Sequence, residues 1–137
     1  LIKVACQTAL GMRESLSVFG TDFNTPDGTG VRDYIHVTDL SNAHISALNY
    51  LENGGKSDTY NCGYGGGASV LEVIRSVKKV SGNDFSVQNS PRRDGDPAKL
   101  IADNSKILKE FNWIPKYQDL DFICRTAYLW EKKERAV

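Results

Sequence analysis

The sequence predicts an α/β fold with several helices and a small mixed sheet. Apolar stripes with helical spacing alternate along the chain with short runs of β-forming residues, which is the pattern of α/β proteins. The sequence contains no internal repeat and no low-complexity linker. A length of 137 residues suits one domain with a sizeable core. We therefore expect a single domain over residues 1–137.

The first third of the chain predicts a helix, two strands and the loop that separates them. Apolar residues three and four apart indicate a helix over Leu1–Met12. The short run Leu16–Gly20 is typical of a strand. Glycine, proline and asparagine mark residues 21–30 as a loop. The alternating β formers of Val31–Val37 predict a second strand.

The middle of the chain predicts two helices around a third strand. Thr38 is the expected N-cap of a helix that Gly54 ends. Asp58–Gly63 is predicted to be a strand. Ser69 and Glu72 have the spacing of a capping box, which predicts a helix from there to about residue 80.

The last third predicts one strand and two helices. These elements are, in chain order, a strand at Phe85–Gln88, a loop at Pro91–Pro97, a helix that begins at Asp103 or Asn104 and ends before Pro115, and a final helix from about Asp119.

Composition argues against two classes of partner. The net charge is zero and the pI is near 6.9, so the chain has no basic field for nucleic acid or an anionic membrane surface. No apolar run approaches the roughly 20 residues that span a bilayer. Cys6, Cys62 and Cys124 are odd in number and lack metal-ligand spacing. We expect them to be buried, reduced thiols of a cytoplasmic protein.

One glycine-rich run imitates a dinucleotide-binding fingerprint. Gly63, Gly65 and Ala68 have the fingerprint spacing between a predicted strand and a helix, with Asp84 as the ribose acid. However, Asp84 precedes the next strand, whereas a ribose acid ends it. We interpret the run as a loop that the Ser69 capping box terminates.

Three further motifs favour structural roles. Tyr128 and Lys132 have the spacing of a dehydrogenase tyrosine–lysine pair, but we interpret them as a core-edge tyrosine and a surface lysine. His36 and His44 lack a third ligand at metal spacing and a catalytic partner. The sequence therefore predicts no catalytic residue and no metal site.

Two runs place arginine beside aspartate. Gly30–Leu40 contains Arg32-Asp33, and Pro91–Asp96 contains Arg92-Arg93-Asp94. Arginine binds diphosphate oxygens bidentately, and a carboxylate accepts hydrogen bonds from sugar hydroxyls. Together the runs predict a nucleotide-sugar site. A plain cross-strand ion pair and a solvated loop are the alternative explanations.

Four runs, 15–20, 27–40, 60–70 and 91–103, resemble in sequence and order the C-terminal part of the UDP-glucose 4-epimerases. These proteins belong to the extended short-chain dehydrogenases. The resemblance extends from Leu1 to about Lys133. It implies a UDP-sugar-binding C-terminal domain whose Rossmann half is missing from this chain.

The resemblance also implies residues that bind the nucleotide. Ser17, Val18 and Phe19 are similar to the strand that holds the uracil. Arg32 and Arg93 are similar to the two arginines that bind the diphosphate.

Three more residues complete the implied site. Asp96 is similar to the carboxylate on the uridine ribose, and Leu1 to a position whose backbone lies near the nucleotide. Leu100 falls at the sugar-pocket position, where some members have a tyrosine. The smaller leucine implies room for an N-acetyl group.

The implied reaction interconverts UDP-galactose and UDP-glucose through a 4-keto intermediate, with NAD bound by the missing N-terminal half. The UDP must stay bound while the sugar turns, so we expect contacts with the nucleotide, and not with the hexose, to supply most of the binding energy. We expect the isolated chain to be inactive and the full-length enzyme to be a cytoplasmic homodimer. We also expect the helix after Thr38 and the strand at Tyr60 to pack against the nucleotide domain, so that the isolated chain exposes apolar faces and self-associates.

Alternatives remain open. One is another extended-family enzyme, such as a nucleotide-sugar dehydratase or decarboxylase. The other is a non-catalytic UDP-sugar-binding fragment. Because Leu1 lies in mid-helix and the chain lacks an initiator methionine, we expect an excerpt of a longer protein.

Overall fold

The structure, a computed structural model, describes residues 1–135, and this range contains five helices and five short strands. In chain order they are α1 (Ile2–Ala9), β1 (Leu16–Phe19), β2 (Val31–Arg32), α2 (Val37–Glu52), β3 (Ala68–Ser69), α3 (Val70–Ser81), β4 (Val87–Ser90), β5 (Lys99–Leu100), α4 (Ser105–Glu110) and α5 (Leu120–Arg135).

The strands form two small sheets. β1 runs parallel to β4 in one sheet. In the other, β2 lies between β3, which is antiparallel to it, and β5, which is parallel to it. The predicted α/β class with a small mixed sheet is therefore confirmed.

The larger of two hydrophobic cores, called here the large core, lies where α1, α3 and α5 pack together beside β1. α3 contributes Val73, Ile74 and Val77, whose spacing puts them on one face of the helix. The other buried members are Ala5, Cys6, Ala9, Leu16, Val18 and Cys124. This core supports one wall of the site described below.

The second core, called here the small core, joins α2 to α4 and the segment after it. It buries only Ala43, Ile107, Phe111 and Trp113. The rings of Tyr50 and Tyr60 lie 5.1 and 4.4 Å from that of Phe111, centroid to centroid.

A buried carboxylate holds the small core together. Asp39 on α2 is 0% exposed and accepts hydrogen bonds from Tyr64 Oη at 2.7 Å and from the N–H groups of Lys116 and Tyr117 at 2.9 and 2.8 Å. Its backbone oxygen accepts from Trp113 Nε1 at 3.0 Å. Burial alone would raise the pKa of Asp39, but the Tyr117, Tyr64 and Lys116 hydrogen bonds lower it.

Helix α3 follows its local sequence signals. Ser69 Oγ accepts from the Glu72 N–H at 3.0 Å, and a Glu72 carboxylate oxygen accepts from the Ser69 N–H at 2.7 Å. The predicted capping box is thus confirmed. Gly82, at φ +69°, ends the helix in the left-handed conformation that glycine adopts easily.

The predicted second strand was wrong beyond Arg32, and so was the Thr38 cap. His36 is the N-cap of α2, and its Nδ1 accepts from the Thr38 N–H at 3.1 Å. The backbone leaves the sheet at Asp33 because this side chain accepts hydrogen bonds from the Tyr64 and Gly65 N–H groups at 3.1 and 3.0 Å.

Residues 58–63 form no strand in the described structure, so that prediction was wrong as well. β-forming residues need a neighbouring strand to satisfy their backbone groups, and no described strand pairs with them. β3 and β5 were not predicted, and β4 begins two residues later than expected.

The histidines and cysteines have structural surroundings. His36 Nε2 lies 3.1 Å from Thr126 Oγ1, and His44 Nδ1 donates to the Leu40 oxygen at 2.8 Å. Cys6 and Cys124 are buried free thiols, whereas Cys62 is only half-buried. Burial raises the pKa of Cys6 to about 12. Across residues 1–135, no helix is long and apolar enough to cross a bilayer, and no His, Cys, Asp and Glu cluster is arranged to hold a metal.

Candidate functional site

A cleft of about 520 Å³ lies where the start of α1, β1, β2 and the loop before β5 meet. Its lining residues are Leu1, Val4, Arg13, Ser15, Leu16, Ser17, Phe19, Phe23, Gly30, Arg32, Tyr34, Val70, Arg93 and Asp96. The cleft contains most of the residues that the sequence marked for a nucleotide.

Strand β1 divides its side chains between the cleft and the protein interior. Ser17 and Phe19 line the cleft. Val18 is 1% exposed and belongs to the large core, because successive side chains of a strand point to opposite faces. Pairing with β4 over the whole of β1 holds this wall in place.

Two arginines and one carboxylate form the charged end of the cleft. Arg93 Nε donates to Asp96 Oδ2 at 2.9 Å, and Arg93 Nη2 forms an ion pair with the same oxygen at 2.8 Å. Arg32 Nη2 lies 3.8 Å from Asp96 Oδ1. The Arg93 guanidinium also lies over the Phe19 ring, 4.9 Å from its centroid. Asp96 therefore stands between two cations, and all three residues line the cleft.

The simpler explanation of Arg32-Asp33 as a cross-strand ion pair is wrong. Among the described residues, Arg32 forms its ion pair with Asp96. Asp33 accepts backbone hydrogen bonds instead, including one from the Ala102 N–H at 3.3 Å. Asp33 thus holds the backbone beside the site in place and does not pair with Arg32, which lines the cleft.

The loop at residues 21–30 is fixed by Asp27. This carboxylate accepts from the Thr29 N–H at 3.0 Å, from Thr29 Oγ1 at 2.7 Å and from Ser69 Oγ at 2.5 Å. Burial alone would raise the pKa of Asp27, but the Ser69 and Thr29 hydrogen bonds lower it. Gly28 has φ +78°, and a Cβ there would lie 2.2 Å from the Thr21 oxygen, so this turn requires glycine.

Six of the eight predicted binding residues line one cleft: Leu1, Ser17, Phe19, Arg32, Arg93 and Asp96. Val18 does not, because it is buried in the large core. Leu100 does not either: it lies on β5 and is 62% exposed, although it pairs in register with Arg32. The binding roles of all eight residues stay predictions.

Sequence reasoning missed several lining residues, among them Arg13, Phe23 and Tyr34. Arg13 and Phe23 lie outside the runs that carry the resemblance, Tyr34 lies within residues 27–40 without a predicted role, and only the tertiary structure brings them to the cleft. The position of Phe23 in a polar loop is the one signal that could have marked it, because a lone aromatic residue in such a loop usually has a packing partner.

The glycine run at Gly63 does not fit a dinucleotide. The Gly65 N–H already donates to Asp33, and a Cβ at Gly63 would lie 2.5 Å from Asp33 Oδ2. Gly63 therefore makes room for Asp33, and Gly65 donates a hydrogen bond to it. Asp84, the supposed ribose acid, forms an ion pair with Lys78.

The tyrosine–lysine pair lies away from the cleft. Tyr128 packs at the edge of the large core, Lys132 is exposed, and neither lines the cleft. These positions agree with the structural interpretation of both residues.

Comparison with known proteins gives a consistent family. A family profile described as GDP-mannose 4,6 dehydratase matches residues 1–126. The UDP-glucose 4-epimerase of Azospirillum brasilense is 52% identical over 132 residues, which are 96% of this chain and 38% of that protein.

Two solved structures are similar over nearly the whole chain. The UDP-Glc/GlcNAc 4-epimerase of Campylobacter jejuni is 54% identical with a TM-score of 0.89, covering 96% of this chain and 40% of that one. The Stenotrophomonas maltophila UDP-glucose-4-epimerase, solved with bound NAD and formylated UDP-arabinopyranose, is 42% identical with a TM-score of 0.93. It covers 100% of this chain and 41% of that one. The chain thus spans about 40% of the length of these relatives, and the predicted resemblance is confirmed.

Proposed function

This chain belongs to the GDP-mannose 4,6 dehydratase family, and from that premise we propose that residues 1–137 form the UDP-sugar-binding C-terminal domain of a UDP-glucose 4-epimerase. The observation that carries the proposal is the cleft in which Arg32 and Arg93 flank Asp96 beside the exposed edge of β1. The names of the relatives support 4-epimerase chemistry on a UDP-sugar.

The charged end of the cleft suits a diphosphate. Guanidinium groups bind phosphate oxygens with paired hydrogen bonds and keep their charge at every relevant pH. A diphosphate would take the place that the Asp96 carboxylate holds between Arg32 and Arg93. Asp96 could then accept hydrogen bonds from the ribose hydroxyls, which are good donors.

The other wall suits the nucleobase. Phe19 offers an exposed aromatic ring, and Ser17 offers a hydroxyl on the same face of β1. An aromatic ring stacks well on a planar base. We assign the uracil to this wall, next to the arginines that would hold its diphosphate.

In this proposal the chain anchors UDP and leaves the sugar free to turn. Arg32 and Arg93 act on the diphosphate, so their contribution is the same for both orientations of the hexose. When bound, NAD would supply the hydride acceptor and donor for sugar C4. Because relatives are solved with NAD bound and this chain spans about 40% of their length, we assign NAD binding and the acid–base residues to the part that this chain does not span.

Leu100 is proposed to set the size of the sugar pocket. It does not line the cleft, but its pairing with Arg32 across β2 and β5 supports a position next to the proposed diphosphate, where the sugar must follow. The substrates named for the Campylobacter jejuni relative, UDP-Glc and UDP-GlcNAc, support room for an N-acetyl group. A Leu100→Tyr variant of the full-length protein should keep turnover of UDP-galactose and lose turnover of UDP-N-acetylgalactosamine.

The experiment that tests the proposed function measures UDP affinity and turnover in the full-length protein. Arg32→Ala should weaken UDP binding about tenfold by calorimetry, because one charge-assisted contact is lost. Arg125→Ala is the matched control, since this exposed arginine on α5 lies away from the cleft. Unchanged UDP affinity in Arg32→Ala would contradict the assignment.

A nucleotide-sugar 4,6-dehydratase is the second candidate, favoured by the description of the matching family profile. Product analysis separates the two. The epimerase converts UDP-galactose to UDP-glucose with no loss of water, whereas the dehydratase forms a 4-keto-6-deoxy sugar. Binding of UDP without any turnover by the full-length protein would favour a non-catalytic module.

Assembly and location follow the same proposal. We expect the full-length protein to be a cytoplasmic homodimer that needs no nucleic acid or membrane. Light scattering on the purified full-length protein tests the dimer. The 137-residue chain alone should show no interconversion of UDP-galactose and UDP-glucose.

A further inference from the structure

Arg92 and Arg93 are adjacent in sequence but face different neighbours. Arg93 lines the cleft and bonds to Asp96. Arg92 does not line the cleft and turns toward the loop at residues 21–30. In the sequence, Arg92 and Arg93 look like two phosphate ligands. In the structure only Arg93 lines the cleft, and Arg92 contacts a neighbouring loop.

Arg92 makes three contacts with that loop. Its Nε donates to Asp22 Oδ1 at 2.6 Å, and its Nη2 donates to the Asp22 backbone oxygen. Its guanidinium lies over the Phe23 ring, 4.0 Å from the centroid, which is within the range of a cation–π interaction. The hydrogen bond from Arg92 also lowers the pKa of Asp22.

Gly20 makes this stacking possible. Its φ is +85°, and a Cβ at this position would lie 2.6 Å from Arg92 Cγ and 2.7 Å from Phe23 Cε2. Any side chain at position 20 would therefore push Arg92 and Phe23 apart. The absence of a side chain here lets the two loops approach each other.

Phe23 connects this contact to the cleft. Its side chain is buried and lines the cleft, whereas Arg92 does not line it. Because residues 21–30 are otherwise polar and contain one proline and two glycines, the loop has little apolar packing of its own to keep Phe23 in place.

We propose that Arg92 is a positioning residue that joins the loop at residues 21–30 to the loop at residues 91–97 and thereby fixes Phe23 as a wall of the nucleotide cleft. This inference rests on the proposed function, since it concerns the same cleft. It assigns Arg92 to the wall that surrounds the nucleotide and leaves the phosphates to Arg93 and Arg32.

The two arginines should then differ in which ligands they affect. Arg93→Ala removes a cation from the diphosphate, so it should weaken UDP binding strongly and uridine binding little. Arg92→Ala loosens an apolar wall, so it should weaken UDP and uridine by the same factor, about two- to fivefold. The loss should appear as faster dissociation, because the wall acts after the ligand has entered.

The experiment measures dissociation constants of UDP and uridine by calorimetry and ligand-observed NMR in the full-length protein. The variants are Arg92→Ala, Arg92→Lys, Asp22→Asn, Arg93→Ala and the matched control Arg125→Ala, an exposed arginine over the Phe122 ring of α5. Melting temperatures accompany each measurement. The Arg92–Asp22 ion pair is exposed and should contribute little to stability, so a positioning role predicts weaker binding at a nearly unchanged melting temperature.

A double-mutant cycle tests the route through Phe23. In a Phe23→Leu background, Arg92→Ala should have little further effect on either ligand, because the ring that Arg92 holds is gone. Arg92→Lys keeps a charge for Asp22 and Phe23 and should restore part of the affinity.

Three results would overturn the inference. If Arg92→Ala weakens UDP far more than uridine, Arg92 acts on the phosphates. If it weakens neither, the contact has no role in binding. If Arg92→Ala weakens binding equally in the Phe23→Leu background, Arg92 does not act through Phe23. Failure of the unmodified protein to bind UDP would instead refute the proposed function.

Discussion

The two cores of this chain are stabilised in different ways. The large core buries apolar faces of α1, α3 and α5 against β1. The small core buries four apolar side chains and depends on Asp39, whose carboxylate holds Lys116, Tyr117 and Tyr64 in place. Packing therefore fixes the side of the molecule that carries the cleft, and a hydrogen-bonded charge fixes the other side.

The two regions also differ in how much apolar surface their helices leave exposed. Helix α2, above the small core, leaves Val37, Ile45, Leu48 and Leu51 exposed. The large core shields the matching residues of α3, whose apolar face is buried. The comparison shows that the α2 side has more apolar surface than its core can cover, whereas on the large-core side the apolar face of α3 is covered and α5 still exposes Leu129 and Trp130.

The largest effect is expected from a cavity in the large core. Ile74→Ala should lower the free energy of unfolding by about 3 kcal/mol, because this side chain is buried among α1, α3 and α5. Chemical denaturation followed by circular dichroism measures it. The control Ile74→Val should cost only about 1 kcal/mol. Equal losses in both variants would show that packing does not control this region.

A somewhat smaller and more local effect is expected at Asp39. Asp39→Asn replaces an acceptor with a donor amid several N–H and O–H groups and should cost about 2 kcal/mol. Hydrogen exchange should show the loss at residues 113–117, with little change in the large core. Asp58→Asn is the control, since its ion pair with Lys106 is exposed and should contribute almost nothing.

Acid should weaken the small core through the same residue. Because the pKa of Asp39 is lower in the folded chain than in the unfolded one, its contribution is complete above the unfolded pKa, about 4, and is lost as pH falls toward the folded pKa. Denaturation of the unmodified chain and of Asp39→Asn from pH 7 to pH 3 should show their difference shrinking. A constant difference would mean that the Asp39 charge does not matter.

The smallest change in stability is expected on the exposed face of α2. Leu48→Gln should alter the free energy of unfolding by less than about 0.5 kcal/mol, because the side chain is already exposed. Light scattering at several concentrations should nevertheless show less self-association of the 137-residue chain. Asn49→Gln, a polar change beside it, should leave association as it is. A compact monomer at all concentrations would contradict the expected role of this face.

Local signals made part of this fold predictable. The Ser69–Glu72 capping box and the apolar stripe of α3 lie within one stretch of sequence, so the helix could be located correctly. β1 was also found, because its short β-forming run ends at a glycine. Arg32, Arg93 and Asp96 were grouped by their residue types and by resemblance, and the structure brings them together.

The remainder depended on contacts between distant residues. Asp33 ends β2 by accepting hydrogen bonds from residues 64, 65 and 102. The sequence around Asp33 contains no signal that predicts these bonds. Asp39 resembled an ordinary acidic residue in the first turn of a helix until residues 113–117 surrounded it. Phe23 and Arg92, 69 positions apart, are related only in three dimensions.

The carboxylate of Asp96 gives the arginines a resident counter-ion. Arg32 and Arg93 are therefore partly neutralised before any ligand arrives, and a simple anion gains little by competing for them. Under the proposed function, UDP gains more, because its ribose hydroxyls offer new partners to the carboxylate that its phosphates displace. On binding, the diphosphate would replace the Asp96 carboxylate as the partner of the two arginines. The cleft would then select UDP over simple anions because only UDP brings ribose hydroxyls that the displaced carboxylate can bind.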